Sequence, residues 1–107
     1  MRIKRITNQY IAFDDNSVIS FDHDQDCCEI NYANFPYIRE EPGIFFHDFN
    51  KNLMFEYAGG GFRFGDPGFM VYVPCYSEQN GYYTMCIDIY FRGEKVLENT
   101  DCEWIDC

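Results

Sequence analysis

Apolar and polar residues alternate along much of this chain, most clearly near its end. In YYTMCIDIYF, Tyr83, Met85, Ile87, Ile89 and Phe91 fall on one side, and Tyr82, Thr84, Cys86, Asp88 and Tyr90 on the other. A period of two predicts a strand whose first set of residues faces a core. Upstream, SEQNG contains Asn80-Gly81, the dipeptide that best suits a tight hairpin turn. The segment Phe69 to Phe91 is therefore expected to form a β-hairpin. A two-residue turn at Asn80-Gly81 would set Cys75 opposite Cys86 and put Phe69, Val71 and Val73 on the side of Asp88, against their apolarity. A slip of one residue exchanges the faces, so a bulge or longer loop is expected. Pro74, with no N–H to give to a ladder, fits such an irregularity.

The same pattern recurs earlier. QYIAF (Gln9 to Phe13) and SVISF (Ser17 to Phe21) each alternate and are separated by Asp14, Asp15 and Asn16, which predicts a hairpin. CCEINY predicts a strand with Cys28, Ile30 and Tyr32 facing one way and Cys27, Glu29 and Asn31 the other. Pro36, EEPG and HDFNKN punctuate the middle, with short strands expected near Ile44 to Phe46 and Leu53 to Tyr57. Gly59 to Gly61 break the chain again. With Gly65 they form a glycine-rich stretch, but no phosphate loop, because no helix and no lysine follow. RGE (Arg92 to Glu94) predicts a turn into a last strand near Lys95 to Leu97, after which Trp104 and Ile105 should pack back on the body. The expected fold is all-β with room for one short helix: a single domain over residues 1–107, an antiparallel meander closed as a sandwich or small barrel.

Composition sharpens this picture. The 107 residues suffice for one domain with its own core, and 11 Phe and 9 Tyr exclude intrinsic disorder and favour strands. The net charge of −10 argues against nucleic acid and against anionic membrane surfaces, which attract basic proteins. Its acidic groups are spread along the chain, as suits a solvated aromatic-rich surface, and would also suit a basic protein partner. No run approaches a membrane span, and MRIKRITNQYIAF lacks the apolar core and cleavage site of a signal peptide. A cytoplasmic protein is expected. Its six cysteines, at positions 27, 28, 75, 86, 102 and 107, should then be mostly thiols.

The densest chemistry is DHDQDCCEINY, from Asp22 to Tyr32. His23, Asp26, Cys27 and Cys28, with His47 in reserve, are the right residue types for zinc. Their spacing is poor, because adjacent cysteines on a strand point to opposite faces. A zinc site would need one of the two, His23 and a distant ligand. No cofactor is otherwise called for. Asp22, Asp24 and Asp26 are spaced like the start of a calcium loop, but Cys27 stands where its glycine belongs and Ala33 where its glutamate belongs. Catalysis by Cys27 with His23 as base is disfavoured, since the surrounding carboxylates would hold the thiol protonated. Redox pairs Cys27–Cys28 or Cys75–Cys86 would depend on the hairpin register. The plain reading is structural: aspartates capping a turn that leads into a strand.

Two stretches, HDQDCCEINY (His23 to Tyr32) and PCYSEQNGYYTMCIDIYF (Pro74 to Phe91), together about a quarter of the chain, resemble motifs of small uncharacterised bacterial and phage-associated proteins with a His-x-Gln-Asp-Cys-Cys-Glu signature. The resemblance implies a similar small β-rich fold and a mobile-element or gut-bacterial setting. It brings over no catalytic residue.

The positive function that needs least special geometry is recognition. Tyr76, Tyr82 and Tyr90 with Asp88 are expected to form an interaction face for a protein partner, because tyrosine offers a large rigid contact at small entropic cost. A metal-binding protein centred on His23 and Cys27 or Cys28 is the alternative.

Overall fold

The alternation reads out as strands. A computed structural model of the chain describes residues 1–22, 30–79 and 85–106, and among these it forms ten strands in two sheets. The first sheet contains β1 (Ile3–Ile6), β2 (Tyr10–Phe13), β3 (Val18–Asp22), β8 (Cys86–Phe91) and β9 (Glu94–Asp101), adjacent in that order and antiparallel. The second contains β4 (Ile30–Ala33), β5 (Met54–Ala58), β6 (Gly61–Asp66), β7 (Phe69–Gln79) and β10 (Glu103–Asp106). A 3-10 turn, Phe35–Glu40, follows β4. The all-β expectation, with one short helical piece, holds, and the two sheets form an open sandwich rather than a closed barrel. No helix among the described residues is long and apolar enough to cross a membrane.

The core lies between the sheets. Ile11, Phe13, Ile19, Ile87, Ile89 and Phe91 enter it from the first sheet, and Phe62, Phe64, Val71, Val73 and Cys75 from the second. Phe49, from the loop before β5, fills its centre, with its ring 5.9 Å from Phe13 and 5.8 Å from Phe64. Such aromatic pairs add to the area they bury.

The expected hairpin between Phe69 and Phe91 is not formed. β7 pairs with β4, β6 and β10, whereas β8 pairs with β3 and β9. Val71 and Val73 therefore face Ile87 and Ile89 across the core instead of sharing a face with them, and the register conflict in the sequence disappears. Cys75 and Cys86 consequently lie in different sheets and are not opposite each other. The turn residues Asn80 and Gly81, and Tyr82 to Thr84, lie outside the described residues. Ile44 to Phe46 form a turn rather than a strand.

The second sheet is organised around the long strand β7. Its first half pairs with β6, from Asp66 opposite Phe69 to Gly61 opposite Pro74. Its second half carries β4 antiparallel and β10 parallel. Cys75 donates its N–H to Gly60, and Pro74 accepts from Asn34, so β6 and β4 lie on opposite sides of β7. Pro74 thus sits where its missing N–H costs nothing. Two glycines allow the close approach of β6. A Cβ at Gly61 would lie 2.2 Å from the Val73 carbonyl oxygen, and one at Gly65, where φ is +147°, would lie 2.0 Å from that of Phe69.

Candidate interaction face

β4 enters the sheet opposite to its hydrophobicity. Asn31 is buried and Ile30 is 49% exposed. The cause is a polar set inside the core. Ser77 Oγ donates to Asn31 Oδ1, and Gln79 Nε2 donates to Ser77 Oγ, all three residues being buried. Buried polar groups need such partners. This network fixes the face of β4, with Ala33 and Asn31 inward and Tyr32 outward.

The register then builds a row of tyrosines on the outer side of the second sheet. Tyr32 is paired directly with Tyr76, and their ring centroids are 5.8 Å apart. Four residues back along β7, Tyr72 donates its hydroxyl to the Gly59 carbonyl and meets the ring of Tyr37 edge-on at 6.5 Å. Tyr37, 56% exposed, is presented by the 3-10 turn, which Arg39 ties to the first sheet through the Ile6 carbonyl. Tyr32, Tyr72 and Tyr76 are half-buried. Ile30 extends the row at one end.

Carboxylates flank the row. Glu78 lies opposite Ile30, and Glu103 on β10 lies opposite Tyr76. Burial first, and then the Glu78 charge, push the Tyr32 hydroxyl above the usual phenol range. Burial, Cys75, Tyr76 and Glu103 do the same to Tyr72. None of the ion pairs found among the described residues involves Glu78 or Glu103. β10 is held in place by Trp104, whose Nε1 donates to the Gln79 carbonyl over 2.9 Å.

The residues expected from the sequence to form one face are divided. Tyr76 belongs to this row. Asp88 and Tyr90 lie on the outer side of the first sheet, where Asp88 meets Lys95 at 3.4 Å and accepts the Asn99 N–H. That sheet's carboxylate is already neutralised, and Asp88 first, then Tyr90, raise the Lys95 pKa. Tyr82 lies outside the described residues. Tyr32, Tyr37 and Tyr72 were not expected in the face. A strand reading of INYA and of FMVYVPCY places Tyr32 and Tyr72 outward only once the inward residues are known, and only the pairing of β4 with β7 brings them together.

Of the metal-ligand candidates, His23, Asp26, Cys27 and Cys28 lie outside the described residues, as does the zinc site that would centre on them. His47 is described. Its Nε2 lies 3.0 Å from Asp66 Oδ2, and its ring stacks on Phe69 with centroids 4.4 Å apart. No three His, Cys, Asp or Glu side chains converge on one point among the described residues. Cys75 and Cys102 carry free thiols. Cys102 lies within hydrogen-bond reach of Cys75, and this contact, together with burial, pushes the Cys75 thiol up and makes it inert at neutral pH.

A cavity of about 400 Å³ opens beside the tyrosine row. Phe21, Tyr32, Ala33 and Pro36 line it together with the amides of Asn8, Gln9 and Asn34. No protein-family model, no curated protein and no solved structure matches the chain.

Proposed function

We propose that the chain is a small non-enzymatic interaction domain, of bacterial or mobile-element origin and acting in the cytoplasm, that holds a basic segment of a protein partner on the tyrosine row of its second sheet. The observation that carries the reading is the combination of half-exposed tyrosine rings with two carboxylates, Glu78 and Glu103, that no described cation neutralises. A lysine or arginine laid there gains charge attraction and contact with a ring face, an arrangement favoured for guanidinium above all. The tyrosines supply rigid area around it. The free thiols of Cys75 and Cys102 fit a reducing compartment, and the motif resemblance is the support for the origin.

The test is a two-dimensional NMR titration of the intact chain with a tetra-arginine peptide at low salt. The expected result is shifts concentrated at Tyr32, Tyr72, Tyr76, Glu78 and Glu103 that fade as salt is added. Shifts spread evenly over the acidic surface, or centred on Asp88 and Tyr90, would overturn the reading.

A further inference from the structure

The cavity beside the tyrosine row differs from the rest of the surface. In a chain of net charge −10, its lining among the described residues includes no charged side chain. Three primary amides, the exposed Asn8 and Gln9 and the half-buried Asn34, line it together with the rings of Phe21, Tyr32 and Pro36. A charged group entering would lose water without meeting a counter-charge. A bulky uncharged side chain would keep its apolar body against the rings while the amides, each donor and acceptor, satisfy any polar edge. Tyr32 belongs to both the cavity and the row, its ring 5.8 Å from that of Tyr76. In a bound strand, residues i and i+2 point to the same side about 6.6 Å apart, the shortest spacing that would serve both the cavity beside Tyr32 and the ring of Tyr76.

We infer that the cavity is the anchor site for the partner segment: it takes one bulky uncharged side chain, aromatic or leucine-like, that stands about two residues from the basic residue held by Tyr76 and Glu78. The inference rests on the proposed interaction function and adds to it. Charge attraction on the row supplies association, and the cavity supplies selectivity among basic segments, since buried anchors carry most of the discrimination in such interfaces.

The experiment uses the intact chain and capped peptides Lys-Ala-Xaa-Ala-Lys, with Xaa varied through all natural side chains. Phe, Tyr, Trp and Leu at Xaa are expected to bind about tenfold more tightly than Ala or Asp, a gap of about 1.4 kcal/mol. Gln9→Trp places a ring over the mouth from an exposed turn, and Asn8→Trp does so independently. Either should flatten the series while leaving the Ala peptide within about twofold of its wild-type affinity. A flat series on the wild-type chain, with salt-dependent binding retained, overturns the anchor and leaves the interaction reading intact. No salt-dependent binding by any peptide removes both. Preference for the bulky side chains that persists in both tryptophan variants also overturns the anchor, because the selectivity would then arise elsewhere.

Discussion

The outer faces of the two sheets use the same residue types to opposite effect. On the first sheet, Asp88 has Lys95 within 3.4 Å and an N–H from Asn99, and Tyr90 lies opposite Lys95. The charge is met inside the chain. On the second sheet, Tyr32, Tyr72 and Tyr76 lie among Glu78 and Glu103, and no ion pair among the described residues reaches either carboxylate. Acidity and tyrosine content therefore do not define an interaction face by themselves. What separates the two is whether the fold supplies the counter-charge. An exposed pair held internally is worth little to stability, yet it removes the field that a basic partner would meet.

The comparison depends on the second sheet holding its tyrosines in register, and the most damaging change should strike there. Gly61→Ala forces a Cβ against the Val73 carbonyl, with β6 and β7 both fixed by backbone pairing. We expect a loss of about 3 kcal/mol or more, read as a lower urea midpoint. Gly93, at the turn before β9 on the first sheet, has positive φ, unlike Gly61, and a Cβ added by Gly93→Ala meets nothing within 4 Å. It should cost about 1 kcal/mol, the ordinary expense of the left-handed conformation. Equal losses would mean that close approach at Gly61 does not hold the sheet together.

The next effect concerns how β4 is aimed. Ser77→Ala removes the hydroxyl between Asn31 and Gln79 and leaves buried amide groups short of a partner. The expected loss is about 1–3 kcal/mol. Because the network sets which side of β4 faces outward, peptide binding at Tyr32 and Tyr76 should weaken with it. Stability loss with binding untouched would separate the network from the face.

Local pattern carried some of this and hid the rest, for reasons visible in particular residues. The β2–β3 hairpin and the inward set Ile87, Ile89 and Phe91 follow from alternation around turn residues, and the structure has them. The expected β7–β8 hairpin failed because alternation reports faces, not partners. Two consecutive strands that bury apolar residues fit one sheet or two facing sheets equally well, and Asn80-Gly81 biased the choice. For β4 alternation separates two faces without saying which is inward, and hydrophobicity misleads because the core residue is Asn31, whose burial rests on Ser77 and Gln79, both far away in sequence. The parallel pairing of β10 leaves no periodic signal at all, so the sequence predicts only that Trp104 and Ile105 pack back on the body. Of the tyrosine row on the second sheet, the sequence predicts Tyr76 and not Tyr32, Tyr37 or Tyr72, since only cross-strand register joins them.

Neutralising the open face is the direct contrast with the closed one. Glu78→Gln with Glu103→Gln should weaken tetra-arginine binding about tenfold, about 1.4 kcal/mol for two partly screened charges. Asp88→Asn, on the other sheet, should leave it within about twofold, because that charge is already met by Lys95. Stability should change little in either case, as shown by overlapping thermal melts. A matching loss from Asp88→Asn would break the distinction between the faces.

Acid gives the smallest effect and compares the sheets through their aspartates. Asp66, on the second sheet, accepts from His47 and from the Asn50 N–H, and its carboxyl is held below the usual range chiefly by His47. Asp15, at the first sheet's β2–β3 turn, is lowered chiefly by the Ser17 hydroxyl, with the Ser17 N–H and Arg92 adding to it. Each folded pKa lies below the unfolded value, so each aspartate stabilises the fold above its unfolded pKa of about 3.9. That contribution is lost as pH falls through the lowered folded value. Asp66→Asn and Asp15→Asn should therefore each cost about 1 kcal/mol at pH 7 and almost nothing once both aspartates are protonated, near pH 2. His47→Phe should move the acid loss assigned to Asp66 upward towards its unfolded pKa and leave that of Asp15 in place, while Ser17→Ala should do the reverse. A urea-melt series from pH 2 to pH 7 reads both. If either substitution moved both transitions together, the sheets would titrate as one unit, and the independence of their two faces would fail at its simplest point.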